Sequence, residues 1–229
     1  MKRISRVIAE RGYKLPELEQ IVFINTTMLE ECGSAAYTHG TQIYIRGDFL
    51  TKKSSEDGGK EFLDYVFSHE LFHCMTRCSS EFRSKMYRII HFTTRDDDYE
   101  MPPSVKEYYI SNPDVERHNS FATFVINGKE IDCFTVFVTT RHFEKKGDEF
   151  FDYGITALVP VDGTDTYYTR QDAENFDEVF GKNTDYVIDP EECMADNFGF
   201  LISYGMNGPD GSGYPDPEII SMIDDTLKK

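Results

Sequence analysis

Long apolar runs are missing from this chain. Nowhere does it approach the roughly 18 consecutive apolar residues of a membrane-spanning helix, so no span is expected. A secretory leader is not evident either: residues 1–15 begin with basic side chains, but Val7-Ile8-Ala9 is too short for a signal core. Positive charge is scarce, with 24 Lys and Arg against 41 Asp and Glu. The resulting net charge of −17 repels nucleic acid and anionic lipid, and suits a soluble protein or cationic substrates. Cysteines are few and odd in number: Cys32, Cys74, Cys78, Cys133 and Cys193 do not form a disulfide framework. A cytoplasmic location is the simplest expectation, although a chain trimmed of an export signal would read the same. Internal repeats and domain linkers are also missing.

What remains is enough for a real core. With 39% hydrophobic and 14% aromatic residues, 229 residues can bury one, which argues against disorder despite the acidic balance. Residues 1–13 suit an amphipathic helix, 19–25 a buried strand, and 40–46 a second strand after a turn at 38–40. Residues 51–59 read as a polar loop, followed by helices over 60–77 and 80–90. The acidic stretch 92–113 reads as irregular, with Met101-Pro102-Pro103 opposing regular structure. Residues 121–138 alternate like strands around Asn127-Gly128, a hairpin signal, and 154–160 suggests another strand. Helices are expected over 190–204, stopped by Gly205, and over 218–227. The expected fold is α+β, a single domain over residues 1–229 with a mixed sheet.

Histidine is rare, 6 in the whole chain, yet two stand in His69-Glu70-Leu71-Phe72-His73. Chance would produce such a His-Glu-x-x-His run with odds on the order of one per cent. On a helix His69 and His73 are one turn apart and point the same way, so both can hold one Zn²⁺. Glu70 lies between them, placed to take a proton from a water that the metal polarises. Its side chain is offset from the two histidines, which makes it a base rather than a ligand.

A catalytic zinc site needs a third protein ligand and an open position. The strongest source is Asp189-Pro190-Glu191-Glu192-Cys193-Met194-Ala195-Asp196. Glu192 and Asp196 share one helix face, where small Ala195 and Gly199 would let this helix approach the His69 helix closely. One carboxylate can reach the metal while the other accepts the free N–H of a bound imidazole. Glu192 has a plainer explanation as well: Asp189 as N-cap, Pro190 at N1 and Glu192 at N3 make a capping box. Capping does not account for Asp196, which lies beyond the first turn.

Together, His69-Glu70-Leu71-Phe72-His73 and Glu192-Cys193-Met194-Ala195-Asp196 resemble the gluzincin pattern, His-Glu-x-x-His followed by Glu-x-x-x-Asp, best known from thermolysin-like zinc peptidases. The wider wording, from Ser68 and from Pro190 to Phe198, is similar to uncharacterised bacterial peptidases. The resemblance is specific over these two helices and faint elsewhere. It implies a zincin-like domain with zinc as cofactor and His69, His73 and Glu192 as ligands. It further implies Glu70 as general base, Asp196 as the hydrogen-bond partner of His69, and a peptide or protein as substrate. One departure is clear: no histidine follows His142, so the downstream histidine that steadies the oxyanion in thermolysin has no counterpart.

That leaves a donor to be found. Tyr186, shortly before the Glu192 helix, is the first choice, with Tyr204 and His118 behind it. The strand over 40–46 is either an edge that pairs with an extended substrate or an ordinary inner strand. His39 fits a turn better than a ligand role. Cys74 and Cys78 point away from the histidines and read as core residues. Asp96-Asp97-Asp98 lacks the spaced ligands of a calcium loop and reads as a solvated acidic loop. Two further functional readings stand beside the peptidase: a non-catalytic zinc-containing binding or interaction module, and core histidines that hold no metal. Oligomeric state is not encoded in any of these features.

Overall fold

The computed structural model describes residues 1–31, 34–142, 144 and 152–229; Cys32 lies outside them. The fold is α+β, with one mixed three-stranded sheet and one antiparallel four-stranded sheet. Two compact units are distinguished, residues 1–89 with 194–229, and residues 90–193. The division falls inside a single unbroken helix, α7 (Pro190–Tyr204).

The first unit begins with α1 (Lys2–Arg11), which stops at Gly12 in the left-handed region. Its sheet contains β1 (Val22–Thr26), β2 (Ala36–His39) and β3 (Gln42–Arg46) in the order β1-β3-β2. The β1/β3 pair is parallel and the β2/β3 pair antiparallel, with Phe23 opposite Ile43 and Tyr37 opposite Tyr44. One expectation is corrected here, and one open alternative is decided in favour of an inner strand. The turn lies at Gly40-Thr41, so Thr38 and His39 belong to a strand rather than to the turn. In addition, β3 is the central strand, which rules out substrate pairing along it, because both of its edges are already bonded.

Another correction concerns residues 51–55, the first part of the expected polar loop, which belong to α2 (Gly47–Ser55). This helix has no buried residue, so it carries no apolar periodicity to betray it. Asp48 in its first turn and Lys52 and Lys53 in its last suit the helix dipole. The chain then enters α3 (Gly59–Cys78) through Gly58 at φ 68°. Gly59 is required by close approach, since a Cβ there would lie 1.8 Å from the Lys53 carbonyl oxygen. From Glu70 to Thr76 every residue of α3 is buried, the mark of a helix enclosed on all sides. The unit closes with α4 (Ser80–Ile89), which packs on α8 (Pro217–Leu227). Ile219, Ile220, Ile223 and Leu227 form the apolar face of α8.

The second unit is an antiparallel meander of β4 (Thr93–Thr94), β5 (Ser120–Ile126), β6 (Lys129–Thr139) and β7 (Gly154–Pro160). The β5–β6 hairpin turns at Asn127 (φ 52°) and Gly128 (φ 71°), the positive-φ pair that the Asn-Gly signal predicts. Val105, Phe134, Val136, Val138, Ala157 and Val159 form its core cluster. Val105 comes from α5 (Pro103–Lys106), a short helix in the stretch expected to be irregular. Pro103 starts this helix rather than breaking it, because the first-turn N–H it lacks has no intrahelical partner anyway. A further short helix, α6 (Phe176–Phe180), sets Phe176 against Phe124, and Phe180 against Phe92. Among the described residues no helix is long and apolar enough to cross a membrane.

Candidate metal centre

The site starts from α3. His69 and His73, one turn apart, place their ring centroids 4.8 Å from each other with planes at 81°. The helix is packed around them: Phe72, beside His73 with ring centroids 6.4 Å apart, packs on Phe82 at 5.8 Å and on Phe198 of α7 at 5.6 Å. Glu70, between the histidines, is 5% exposed.

Helix α7 supplies the acids. Asp189 Oδ1 accepts the Glu192 N–H at 3.0 Å, which is the N-cap to N3 bond that the spacing predicts. The Glu192 carboxylate is held separately. Asn112 Nδ2 donates to its Oε1 at 2.5 Å, while Asn112 Oδ1 accepts the Asp114 N–H and so fixes the amide's orientation. Carried one turn ahead of Asp196 on the same helix, Glu192 offers a ligand atom that lies with those of His69 and His73 within a mutual 4.8 Å. One turn on, Asp196 Oδ1 is 2.8 Å from His69 Nδ1, which leaves Nε2 as that ring's nitrogen for a metal. The small residues do what small residues allow: Ala195 is fully buried, and a Cβ on Gly199 would lie 2.9 Å from the Tyr65 ring.

The donor set fits a zinc ion. Two imidazoles and one carboxylate are the nitrogen and oxygen ligands zinc takes in catalytic sites, at about 2.0–2.2 Å. Atoms no more than 4.8 Å apart share a central point within about 2.8 Å of each, so small side-chain rotations close the gap. His73 and Glu192 are 0% and 1% exposed and the His69 side chain 12%, so the cluster is almost wholly withdrawn from solvent. Burial makes the charge of a lone carboxylate costly. A divalent cation held by neutral imidazoles would offset that cost.

Of the residues singled out from the sequence, the structure brings His69, His73, Glu192 and Asp196 together, with Glu70 on the same helix as the histidines. Tyr186 is half-buried ahead of α7, with its N–H bonded to Thr184 Oγ1 at 2.9 Å. Tyr204 belongs to an aromatic stack with Tyr65 at 6.3 Å, where burial and the Glu61 charge raise its phenol pKa. His118 shares Nε2 with the Tyr109 hydroxyl at 3.0 Å. Burial holds His118 below the ordinary histidine pKa, against the pull of Asp98, so it stands as a neutral imidazole at pH 7. His39 ends β2, its ring nearly perpendicular to those of Tyr37 and Tyr44 at 5.4 and 5.8 Å. Asp98 shares the Arg117 Nε–H between its two oxygens, each at 2.9 Å, and its Oδ1 also accepts the His118 N–H at 2.9 Å. Cys74 is buried and Cys78 exposed.

Two residues at the site escaped the sequence. Asn112 sits in the Pro-flanked acidic stretch, where nothing in the pattern marks it. Tyr65 donates its hydroxyl to Asp196 Oδ1, and it does carry a signal: it lies one helical turn before His69 on the same face. No protein-family model, no curated protein and no solved structure matches this chain.

Proposed function

We propose that the chain is a zinc-dependent peptidase with a zincin-like arrangement of its two site helices, α3 and α7. The observation that carries the proposal is the convergence of His69, His73 and Glu192 beside a buried Glu70. Zinc in this donor set supplies a Lewis acid that polarises a carbonyl and makes water a nucleophile near neutral pH. His69, His73 and Glu192 hold the ion, and Asp196 fixes the tautomer and orientation of His69. Glu70 takes the proton of the attacking water and returns it to the leaving amine. Tyr186 is assigned as the donor to the developing oxyanion.

Substrate pairing, excluded along β3, moves to an outer strand. The candidate is β2, antiparallel to β3 and packed against α3. Arg77 of α3 ties β2 in place through Thr38 and the Gly40 carbonyl.

The test is Glu70→Gln, which keeps the side chain's shape and removes its basicity. Cleavage of a broad peptide library is expected to fall by about 10²–10⁴-fold while zinc content stays at one ion per chain. Retained proteolysis in this variant rejects Glu70 as the base. Stoichiometric zinc with no cleavage by the wild type rejects the enzyme and leaves a zinc-containing binding module.

A further inference from the structure

Tyr65 occupies α3 one turn before His69, and its surroundings hold the ring in one place. It stacks on Phe200 at 5.2 Å and 15°, lies against Tyr204 at 6.3 Å, and turns toward His69 at 6.2 Å and 65°. Gly199 makes this possible. A Cβ there would stand 2.9 Å from Tyr65 Cδ2 and 3.1 Å from the Tyr65 carbonyl oxygen, so a larger residue would push α7 away from α3. The phenol thereby reaches Asp196 Oδ1 at 2.5 Å, the same oxygen that stands 2.8 Å from His69 Nδ1. One carboxylate oxygen thus serves two donors, a phenol and an imidazole N–H.

We propose that Tyr65 is a positioning residue of the metal centre, an assignment that rests on the zinc proposal above. A carboxylate on a two-torsion side chain orients an imidazole more firmly when another fixed donor also holds it. The phenol, fixed by its aromatic stack, pins the carboxylate, and the pinned carboxylate sets the plane of His69. Tyr65 touches neither metal nor substrate in this scheme and acts only through Asp196.

Tyr65→Phe keeps the stack and deletes the hydroxyl. Removing a hydrogen-bond partner of a metal ligand costs about 10–100-fold in metal affinity. Tyr65 is one bond further out, so a loss of about tenfold is expected in zinc competition against a chromogenic chelator. The melting temperature of metal-free protein is expected to fall modestly, since one hydrogen bond is lost there whatever its role, so the separation of positioning from packing is made in a second background. In an Asp196→Ala background the second substitution is expected to cost nothing more, since the group through which the phenol acts is gone. Two outcomes overturn the proposal: unchanged affinity in Tyr65→Phe when the wild type binds zinc, or an equal further loss without Asp196. Failure of the wild type to bind zinc is a different result, and it overturns the metal centre itself.

Discussion

The approach of α7 to α3 can be tested at one atom. Gly199 lies mid-helix, where replacing glycine with alanine ordinarily stabilises by about 1 kcal/mol. Here the added methyl would meet Tyr65 Cδ2 at 2.9 Å, its carbonyl oxygen at 3.1 Å and Cε2 at 3.2 Å. Neither neighbour yields cheaply, because the ring is stacked on Phe200 and the carbonyl belongs to α3. Overpacking of this kind costs about 1–3 kcal/mol, enough to cancel the helix gain and leave a net loss of about 1 kcal/mol. For a chain of this size that is a melting temperature lower by about 2–4 °C. Metal affinity is expected to suffer more. Forcing the helices apart by a few tenths of an ångström moves Asp196 from His69 and Glu192 from both imidazoles. Gly199→Ala is therefore expected to bind zinc at least tenfold more weakly, measured by chelator competition beside calorimetric melting of the metal-free protein. An alanine variant that melts higher and binds zinc as the wild type does would refute the close contact.

Other expectations are independent of the metal. Cys133 is fully buried, and burial, aided by the nearby Asp132 and Asp162 charges, pushes its thiol up to about 12. Among the described cysteines, iodoacetamide at pH 8 is expected to label exposed Cys78 first and to leave Cys133 unmodified until unfolding, as read by peptide mass spectrometry. Prompt labelling of Cys133 would contradict the packing of β6. Tyr13 donates to Asp224, and burial together with that bond raises its phenol to about 12. A raised folded-state pKa gives stability that is complete below the unfolded value near 10 and is lost as pH climbs to about 12. Tyr13→Phe is expected to flatten the fall of the melting temperature across that window, and an unchanged slope would remove Tyr13 from the linkage.

How much of the structure was legible depends on which physical signal each segment carried. Helix α7 was readable because Asp189, Pro190 and Glu192 form a start signal, and Gly205, at φ 68°, a stop. The β5–β6 hairpin was readable from two residues that tolerate positive φ. Helix α2 was hidden because it buries nothing, and β2 because its four residues hold only one large apolar side chain, Tyr37. Strand order, and with it the interior place of β3, depends on pairing across the chain and leaves no local mark. At the site, spacing within α3 and within α7 predicted which side chains share a face, and small Ala195 and Gly199 predicted a close helix approach. Asn112 could not be found this way: its meeting with Glu192 is made 80 residues away along the chain, by a loop without periodicity.

The most direct measurement is the zinc content of purified protein, wild type against Glu192→Ala, after dialysis against a weak chelator. One ion per chain in the wild type and its loss in the variant are expected, since two imidazoles alone hold zinc poorly. A wild type that retains no zinc, or a variant that keeps its ion with undiminished affinity, contradicts a metal centre built from His69, His73 and Glu192.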